Sequence, residues 1–241
     1  MDALIYTIMS GANRTLKAQQ VRANNLANAD TPGFRADIEV ASSQAVPGYG
    51  YDARHMTVLQ PSAVSVKQGV IVQTGRELDV AIRGEGFFTV ATADGEAYTR
   101  GGQFDVAADG TLMLGGRQVL GDGGAIVLPE HRLVQVAADG TVSVLPPGSE
   151  AMQAVGRLKL VKPAPEELSK TADGLIVSRL EPTLAADDTV RVQGGHLERS
   201  NVSAVEEMIA SMTLNRSFEM QLKMFNAAND MVEAGNRLVR G

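Results

Sequence analysis

The sequence predicts an α+β protein in which a long helix at each end of the chain brackets an antiparallel, β-rich middle. Apolar residues recur every three or four positions over Asp2–Asn28, as they do on one face of an α-helix. The same spacing returns over Val202–Val239, which contains no proline. Between them, over Gly69–Val192, short alternating runs are separated by Asp-Gly dipeptides, which favour tight hairpin turns.

The N-terminal helix carries a stripe that begins apolar and becomes small and polar. The stripe consists of Ile5, Ile8, Ala12, Leu16, Gln19, Ala23 and Leu26. Its last turns are rich in side-chain amides, from Asn24, Asn25 and Asn28. The Thr31-Pro32-Gly33 stretch then predicts a firm stop, because a proline disfavours helical backbone in the preceding residue.

The middle of the chain reads as a compact antiparallel β-domain. Eight short runs predict strands: LDVAIRG, GFFTVAT, QFDVAA, TLMLGG, RLVQVAA, TVSVL, RLKLV and GLIVS. Five Asp-Gly pairs lie among them, beginning at Asp94, Asp109, Asp122, Asp139 and Asp173. The pentapeptide AADGT occurs twice, at Ala107–Thr111 and Ala137–Thr141, and we interpret it as recurrent hairpin chemistry because the flanking sequences share no period.

The C-terminal helix is apolar over more than one narrow stripe. Ser200, Asn201 or Ser203 is expected to cap its start. One stripe consists of Val205, Met208, Met212, Asn215, Leu222, Phe225, Asn229 and Val232, and a neighbouring one of Ile209, Met220, Met224, Ala227 and Met231. At about 1.5 Å per residue the helix spans roughly 50 Å, more than a small β-domain can cover. We therefore expect the terminal helices to pack on each other and their spare faces on another protein.

Composition excludes several functional classes. The 241 residues carry a net charge of −6, and only 4% are aromatic, which argues against a nucleic-acid partner. The chain has no cysteine, so disulfides and thiolate metal sites are excluded. We predict no membrane insertion, because no apolar stretch approaches the ~20 residues of a spanning helix. The first residues lack a basic segment followed by an apolar run, so we expect no cleaved signal peptide.

No catalytic, cofactor-binding or metal-binding constellation is predicted. The three histidines, His55, His131 and His196, are not spaced to bind a metal from one helix face. A hydrolase using paired carboxylates remains an alternative, with Glu85, Glu96 and Asp105 as its candidates. A secreted interaction module or adhesin with helical ends is a second alternative.

Four segments together resemble the flagellar basal-body rod proteins of the rod/hook axial family. ANNLANADTPGFR is similar to that family's N-terminal signature through Ala23, Asn24, Asn25, Ala27, Asn28, Thr31, Gly33, Phe34 and Arg35. LERSNVSAVEEM (Leu197–Met208) resembles the entry to its C-terminal helix. RSFEMQLKMFNAANDMV matches a further motif through Arg216, Phe218, Glu219 and Lys223. The stretches LDVAIRGEGFFTV and YTRGGQFDVAADGTL resemble its shared β-domain. Pro32 and Phe218 depart from the residues usual in relatives.

The resemblance implies a non-enzymatic structural subunit of the rod, the drive shaft that transmits torque to the hook and surrounds the export channel. Length and the segment VGRLKLVKP favour a proximal-rod member over a distal-rod or hook-type one. Implied partners are copies of the chain itself, other rod subunits and the flagellar type III export apparatus. The implied location is the rod of the basal body, spanning the periplasm.

The resemblance also implies a division of the chain and an assembly surface. We expect an inner, coiled-coil-like assembly domain from residues 1–35 and 196–241, a connector at 36–68 and the β-domain at 69–195. Candidate packing residues are Ile5, Ile8, Leu16, Asn24, Asn25, Asn28, Val205, Met208, Met212, Arg216, Phe218, Glu219, Leu222 and Phe225. The asparagine amides are expected to fix register when buried against other subunits.

Overall fold

The computed structural model describes residues 2–45, 55–59, 63–171 and 173–240 and has the predicted α+β composition. By backbone contacts the chain forms two compact units. The helical unit comprises Met1–Ala27, Asp37–Ser62 and Ser203–Gly241, and the β-rich unit comprises Asn28–Ala36 and Ala63–Val202. Both units are discontinuous in sequence, as is the predicted assembly domain, but the helical unit also contains Asp37–Ser62, which we predicted as part of a connector.

The helical unit contains the two terminal helices and three short strands. Helix α1 is Asp2–Ala27 and helix α2 is Ala204–Arg240. Strand β1 is Asp37–Ile38, while β2 (Ala41–Ala45) and β3 (His55–Leu59) form an antiparallel pair. Within the described residues, no helix has the length and apolar composition needed to cross a membrane.

The helix ends lie close to the predicted boundaries. Helix α1 ends at Ala27, and three turn residues precede Thr31. Ser203 caps α2, because its hydroxyl accepts a hydrogen bond from the Glu206 amide at 3.4 Å and its carbonyl accepts one from the Glu207 amide. Of the predicted connector, the turn-rich VPGYGYD stretch lies outside the described residues.

The β-rich unit consists of short antiparallel strands. They are β4 (Ala63–Val64), β5 (Ile71–Gln73), β6 (Val80–Arg83), β7 (Phe87–Thr92), β8 (Gly95–Thr99), β9 (Asp105–Val106), β10 (Leu112–Leu114), β11 (Arg117–Gln118), β12 (Leu120–Gly121), β13 (Gly124–Ala125), β14 (Leu133–Val136), β15 (Thr141–Leu145), β16 (Gln153–Arg157), β17 (Leu160–Val161), β18 (Leu168–Lys170), β19 (Ile176–Ser178), β20 (Arg191–Gly194) and β21 (His196–Glu198). The largest sheet has the order β17-β7-β8-β19-β18, and β14-β15-β16 and β11-β10-β9 form three-stranded sheets. Strands β20 and β21 pair with β6 and β5, respectively.

All eight predicted strand runs contain a strand, and all five Asp-Gly pairs join antiparallel partners. The joined pairs are β7–β8, β9–β10, β12–β13, β14–β15 and β18–β19. The two AADGT segments adopt the same turn: the carboxylates of Asp109 and Asp139 accept hydrogen bonds from the amides of Thr111 (2.9 Å) and Thr141 (3.0 Å). The interpretation of AADGT as repeated turn chemistry is confirmed.

The core of the β-rich unit forms where the alternating strands turn one face inward. On β15, Val142 and Val144 are buried while their neighbours are half-buried. Phe88 and Phe104 are wholly buried and meet edge to face, with ring centroids 5.2 Å apart. This core lies beneath the strands and loops described below.

Candidate functional site

Within the helical unit, α1 and α2 contact each other through one regular seam. The inward positions of α1 follow steps of three and four: Ile8, Gly11, Thr15, Ala18, Arg22 and Asn25. The buried or half-buried positions of α2 follow the same spacing: Glu207, Ser211, Leu214, Phe218, Gln221, Phe225, Ala228 and Val232. Small and polar residues therefore fill much of this seam.

Polar side chains join the two helices and set their direction. The contacts are Thr15 with Gln221, Gln19 with Asn215, and Arg22 with Glu207. As the residue numbers increase along α1, those of the partners on α2 decrease. The Gln19 amide donates to Asn215 at 2.8 Å, and the Arg22 guanidinium donates to both oxygens of Glu207 at 3.1 and 3.2 Å. The helices are consequently antiparallel.

The large apolar side chains of the pair lie mostly outside its seam. Those that are exposed are Tyr6, Met9 and Leu16 on α1, and Val205, Met208, Ile209, Met212, Met220, Leu222, Met224, Met231 and Leu238 on α2. Leu16, which we predicted on the same stripe as Ile8, is 43% exposed. The face that α1 turns to α2 carries mainly small and polar residues, among them Thr15, Ala18 and Asn25, with Ile8 near its start.

Asn25 uses its whole amide within its own chain. The side chain is 0% exposed. Its oxygen accepts from the Asp37 amide at 2.8 Å, and its nitrogen donates to the Asp37 carbonyl at 3.0 Å and to Glu207 at 3.3 Å. A single side chain thus joins the end of α1, the returning chain and the start of α2. Asn25, expected to bond to other subunits, has no surface for them here.

The remaining predicted packing residues divide by exposure. Leu16, Asn24, Val205, Met208, Met212, Arg216, Glu219 and Leu222 are exposed. Ile5, Asn28, Phe218 and Phe225 are half-buried, and Ile8 is buried. Asn28 lies in the β-rich unit, where its side-chain oxygen accepts a hydrogen bond from the Thr31 hydroxyl at 3.2 Å.

In the β-rich unit, the N-terminal TPGFR segment lies against the LERSN segment. The Gly33 amide donates to the Glu198 carbonyl at 2.8 Å, and the Asn201 amide donates to the Phe34 carbonyl at 3.3 Å. The Asn201 side-chain oxygen accepts from the Ala36 amide at 2.8 Å. Gly33 has φ +71°, and a Cβ there would lie 2.1 Å from the Gly101 nitrogen, so no other residue fits this approach.

A buried ionic group lies beside this junction. Glu198 lies between Arg35 (Nη2 to Oε1, 2.9 Å) and Arg100 (Nη1 to Oε2, 3.4 Å), and each of the three side chains is at most 2% exposed. These are ion-pair distances without hydrogen-bond alignment. Arg35 also donates to the carbonyls of Val66 and Lys67. Removing Glu198 would leave two buried cations without their counter-charge.

Burial lowers the pKa of both arginines against the opposing effect of Glu198, and it lowers the pKa of Arg100 to about 10. Both guanidinium groups are therefore cationic at neutral pH. Sequence reasoning missed Arg100, Glu198 and Asn201 as functional candidates. All three lie in segments that match the axial family, and that was the signal available to find them.

The three carboxylates considered for a hydrolase each form an ion pair with a different cation. Glu85 lies 2.9 Å from Lys162, and Glu96 lies 2.7 Å from Lys159. Asp105 pairs with Arg76.

Three family descriptions match successive parts of the chain. "Flagella basal body rod protein" matches residues 5–35, and "Flagellar hook protein FlgE/F/G D1 domain" matches residues 81–144. "Flagellar basal body rod FlgEFG protein C-terminal" matches residues 193–238. The first and last matches contain most of α1 and most of α2, respectively, and the middle match lies in the β-rich unit.

Relatives extend these matches over the whole chain. The flagellar basal-body rod protein FlgF of Escherichia coli is 41% identical over 248 residues, covering 99% of each chain. FlgF of Salmonella typhimurium is 40% identical with the same coverage. The rod protein FlgG of Bacillus subtilis is 28% identical, over 95% of this chain and 96% of its own. The chain therefore belongs to the FlgF family of flagellar basal-body rod proteins.

Proposed function

We propose that the exposed apolar sides of α1 and α2 are the surface through which this rod protein packs against other axial subunits. Membership of the family makes the chain a structural protein of the flagellar basal-body rod, which assembles with other rod and hook proteins. The observation that carries the proposal is the inverted distribution of side chains in the helix pair. Among the side chains that the structure describes, three large apolar residues on α1 and nine on α2 are exposed, whereas most seam positions carry small or polar residues.

The energetics favour a partner for this surface. Fully burying one Leu or Met side chain contributes about 1.5–3 kcal/mol of stabilising free energy. Even partial burial of this set of residues on assembly therefore contributes more free energy than a single polar contact does. A concentration of exposed large apolar side chains on one helix pair is typical of an interaction site on a soluble protein. The candidate packing residues Leu16, Val205, Met208, Met212 and Leu222 belong to it.

The spacing of the seam supports a coiled-coil-like arrangement of the assembled helices. Steps of three and four along both helices are those of a heptad seam. In the proposed rod, such helix pairs form an inner layer around the export channel, and subunits stack helically to transmit torque. Export through the flagellar type III apparatus without a cleaved signal peptide, and a rod position across the periplasm, complete the proposal.

Hydrogen exchange tests whether assembly orders the helices. The purified full-length chain and intact basal bodies are compared for amide protection in α1 and α2. We expect weak protection in the isolated chain, because the helix pair buries few apolar side chains, and strong protection after assembly. Equal protection in both states would show that the helices serve an internal core, contrary to the proposal.

A pair of substitutions at Met212 tests the surface itself. Met212 is 62% exposed, so Met212→Glu places a charge on the proposed interface without disturbing the seam. Met212→Leu keeps the site apolar and is the matched control. We expect Met212→Glu to reduce incorporation into rods, scored by electron microscopy and swimming, and Met212→Leu to assemble normally. Normal rods with both variants would contradict the proposal.

A further inference from the structure

Methionine occurs on the surface of the helix pair and not in the protein core. Met9 on α1 and Met208, Met212, Met220, Met224 and Met231 on α2 are 48–62% exposed. In the β-rich unit, Met113 is half-buried and Met152 is exposed. Among the described residues no methionine is buried, and the main core is formed by Val, Ile, Leu, Ala and Phe. The flexible thioether usually fills gaps in cores, so these methionines do not have that usual role.

Four of these methionines share one face of α2. This face, the outer stripe, consists of Val205, Ile209, Met212, Met220, Met224, Met231 and Leu238, whose side chains are 56–85% exposed. At 3.6 residues per turn, its members lie within about 120° of arc on the side of α2 turned away from the seam. Arg216, Lys223 and Asp230 fall on the same arc and interrupt it. The four thioethers are therefore open to solvent before assembly.

These thioethers are also the most readily oxidised groups of the chain. The sequence has no cysteine and no tryptophan, so methionine is the first side chain to react with a peroxide. In that reaction the sulfur lone pair attacks one peroxide oxygen, the O–O bond breaks, an S–O bond forms and water leaves. The sulfur loses two electrons and hydrogen peroxide is reduced by two electrons. The product is methionine sulfoxide, which sulfoxide reductases convert back to the thioether.

We propose that the outer stripe is an oxidation site that controls assembly, because peroxide converts its methionines to sulfoxides and thereby excludes the subunit from the rod. The inference rests on the proposed function, since it needs the stripe to be covered by a neighbouring subunit. A sulfoxide oxygen is a strong hydrogen-bond acceptor, and burying it among apolar side chains without a donor is unfavourable. Oxidation therefore turns apolar contacts of the stripe into desolvation costs.

The exposure of the stripe makes the switch act before assembly and not after it. In the free subunit all four methionines are more than half exposed, so an oxidant reaches them directly. Once a neighbour covers the face, the same sulfur atoms are removed from solvent. An oxidant then stops the incorporation of new subunits without disassembling a finished rod, and the reductases return the excluded subunits to use.

Peptide mapping of the purified full-length chain after peroxide treatment measures which methionines react. We expect the four methionines of the outer stripe to be converted at least about threefold faster than the half-buried Met113. Sulfoxide reductases of both stereospecificities should reverse the conversion. Equal rates at the stripe and at Met113 would overturn the stripe as the preferred oxidation site.

Competition within one cell tests the effect on assembly. A variant that combines Met212→Leu, Met220→Leu, Met224→Leu and Met231→Leu keeps the stripe apolar but cannot form sulfoxides there. This variant and the unaltered chain are co-expressed in cells without another copy, so both meet the same neighbours. The cells receive a peroxide pulse during rod formation. Mass spectrometry of isolated basal bodies then gives the ratio of the two chains, with reduced and oxidised peptides counted together.

The ratio is compared with that of untreated cells, at a peroxide dose shown to oxidise the stripe in free subunits. We expect it to shift toward the leucine variant at least about tenfold, because each buried sulfoxide lacks a donor. Damage to other proteins acts on both chains equally and cancels in the ratio. An unchanged ratio would overturn the proposal.

The Met212→Glu variant separates this outcome from a failure of the proposed function. If Met212→Glu is excluded from rods while the competition ratio ignores peroxide, the apolar surface does take part in assembly and only the oxidation switch is refuted. If Met212→Glu assembles normally, the proposed function itself fails and the oxidation switch fails with it.

Discussion

Replacing Glu198 by Gln is expected to destabilise the β-rich unit strongly. The Glu198 side chain is 1% exposed and is the carboxylate between the buried guanidinium groups of Arg35 and Arg100. Gln keeps the shape and the oxygen that accepts from the Gly69 amide at 2.9 Å, but it removes the negative charge. Removing one partner of a buried ion pair costs about 3–5 kcal/mol. At about 2–4 °C per kcal/mol for a domain of this size, the melting temperature should fall by about 6–20 °C.

Thermal unfolding of the full-length chain measures this effect. The chain has no tryptophan and four tyrosines, so the measurement uses a background in which Tyr6, Tyr49 and Tyr51 are replaced by Phe. The remaining Tyr98 is wholly buried in the β-rich unit, and its fluorescence reports on that unit. Asp188→Asn is the matched control: Asp188 lies 2.6 Å from Arg157 but is 80% exposed. An exposed pair contributes about 0–1 kcal/mol, which corresponds to at most about 4 °C. If the melting temperature of Glu198→Gln fell by no more than about 4 °C, the stability of the β-rich unit would not depend on the negative charge of Glu198, and the reasoning would be refuted.

Three further predictions concern single side chains. Gly33→Ala should lower the free energy of unfolding more than Gly75→Ala. At both positions the backbone is left-handed (φ +71° and +75°), and this conformation costs alanine about 1–2 kcal/mol. Only at Gly33 would the added Cβ also clash with neighbouring backbone atoms. Equal losses of unfolding free energy for the two variants in urea titrations would argue against the clash. Asn25→Leu should impair incorporation into rods, because it leaves the hydrogen-bonding groups around that amide unpaired, while Tyr98 fluorescence in the same Tyr→Phe background shows the β-rich unit still folded. Normal rods would show that the hydrogen bonds of Asn25 are dispensable for assembly. In Asp139→Asn, the melting temperature should fall less steeply as the pH is lowered into the acid range. The hydrogen bond from the Thr141 amide holds the pKa of Asp139 below its usual value. The Asp139 carboxylate therefore stabilises the folded chain above the unfolded-state pKa of about 3.9, and this stabilisation is lost as the pH falls through the lower folded-state pKa. An unchanged acid profile in the variant would refute that contribution.

The features that local chemistry decides could be predicted from the sequence. The five Asp-Gly pairs identified five hairpins because each turn is determined by the few residues within it. Alternation identified strands such as β14 and β15, in which one face is more deeply buried than the other. The helix boundaries followed from Ser203 and from the Thr31-Pro32-Gly33 stretch for a similarly local reason.

The features that depend on long-range contacts could not be predicted. The ion pairs of Glu198 join residues that lie 98 and 163 positions away in the sequence, and no periodicity relates them. The pattern of α1 indicated an apolar stripe through Leu16, but the seam runs through Thr15 and Asn25 instead. Apolar periodicity identifies the face that will be buried somewhere, not the partner that buries it.

The helix pair shows why that distinction matters for an assembling protein. A helix pair made to be stable alone would place its large apolar residues in its own seam, where burial contributes most. Here Thr15, Arg22 and Asn25 occupy seam positions, and their polar contacts specify an antiparallel partner at little gain in free energy. Large apolar residues such as Met208 and Met212 stay outside and are available to neighbours. Polar contacts in the seam select the register of the two helices, whereas burial of the apolar outer face supplies most of the free energy. Most of the stabilisation of the helices is therefore gained only when that outer face is buried on assembly. A variant that moved leucines into the seam, such as Thr15→Leu combined with Gln221→Leu, should therefore raise helix protection in the isolated chain and narrow its increase on assembly.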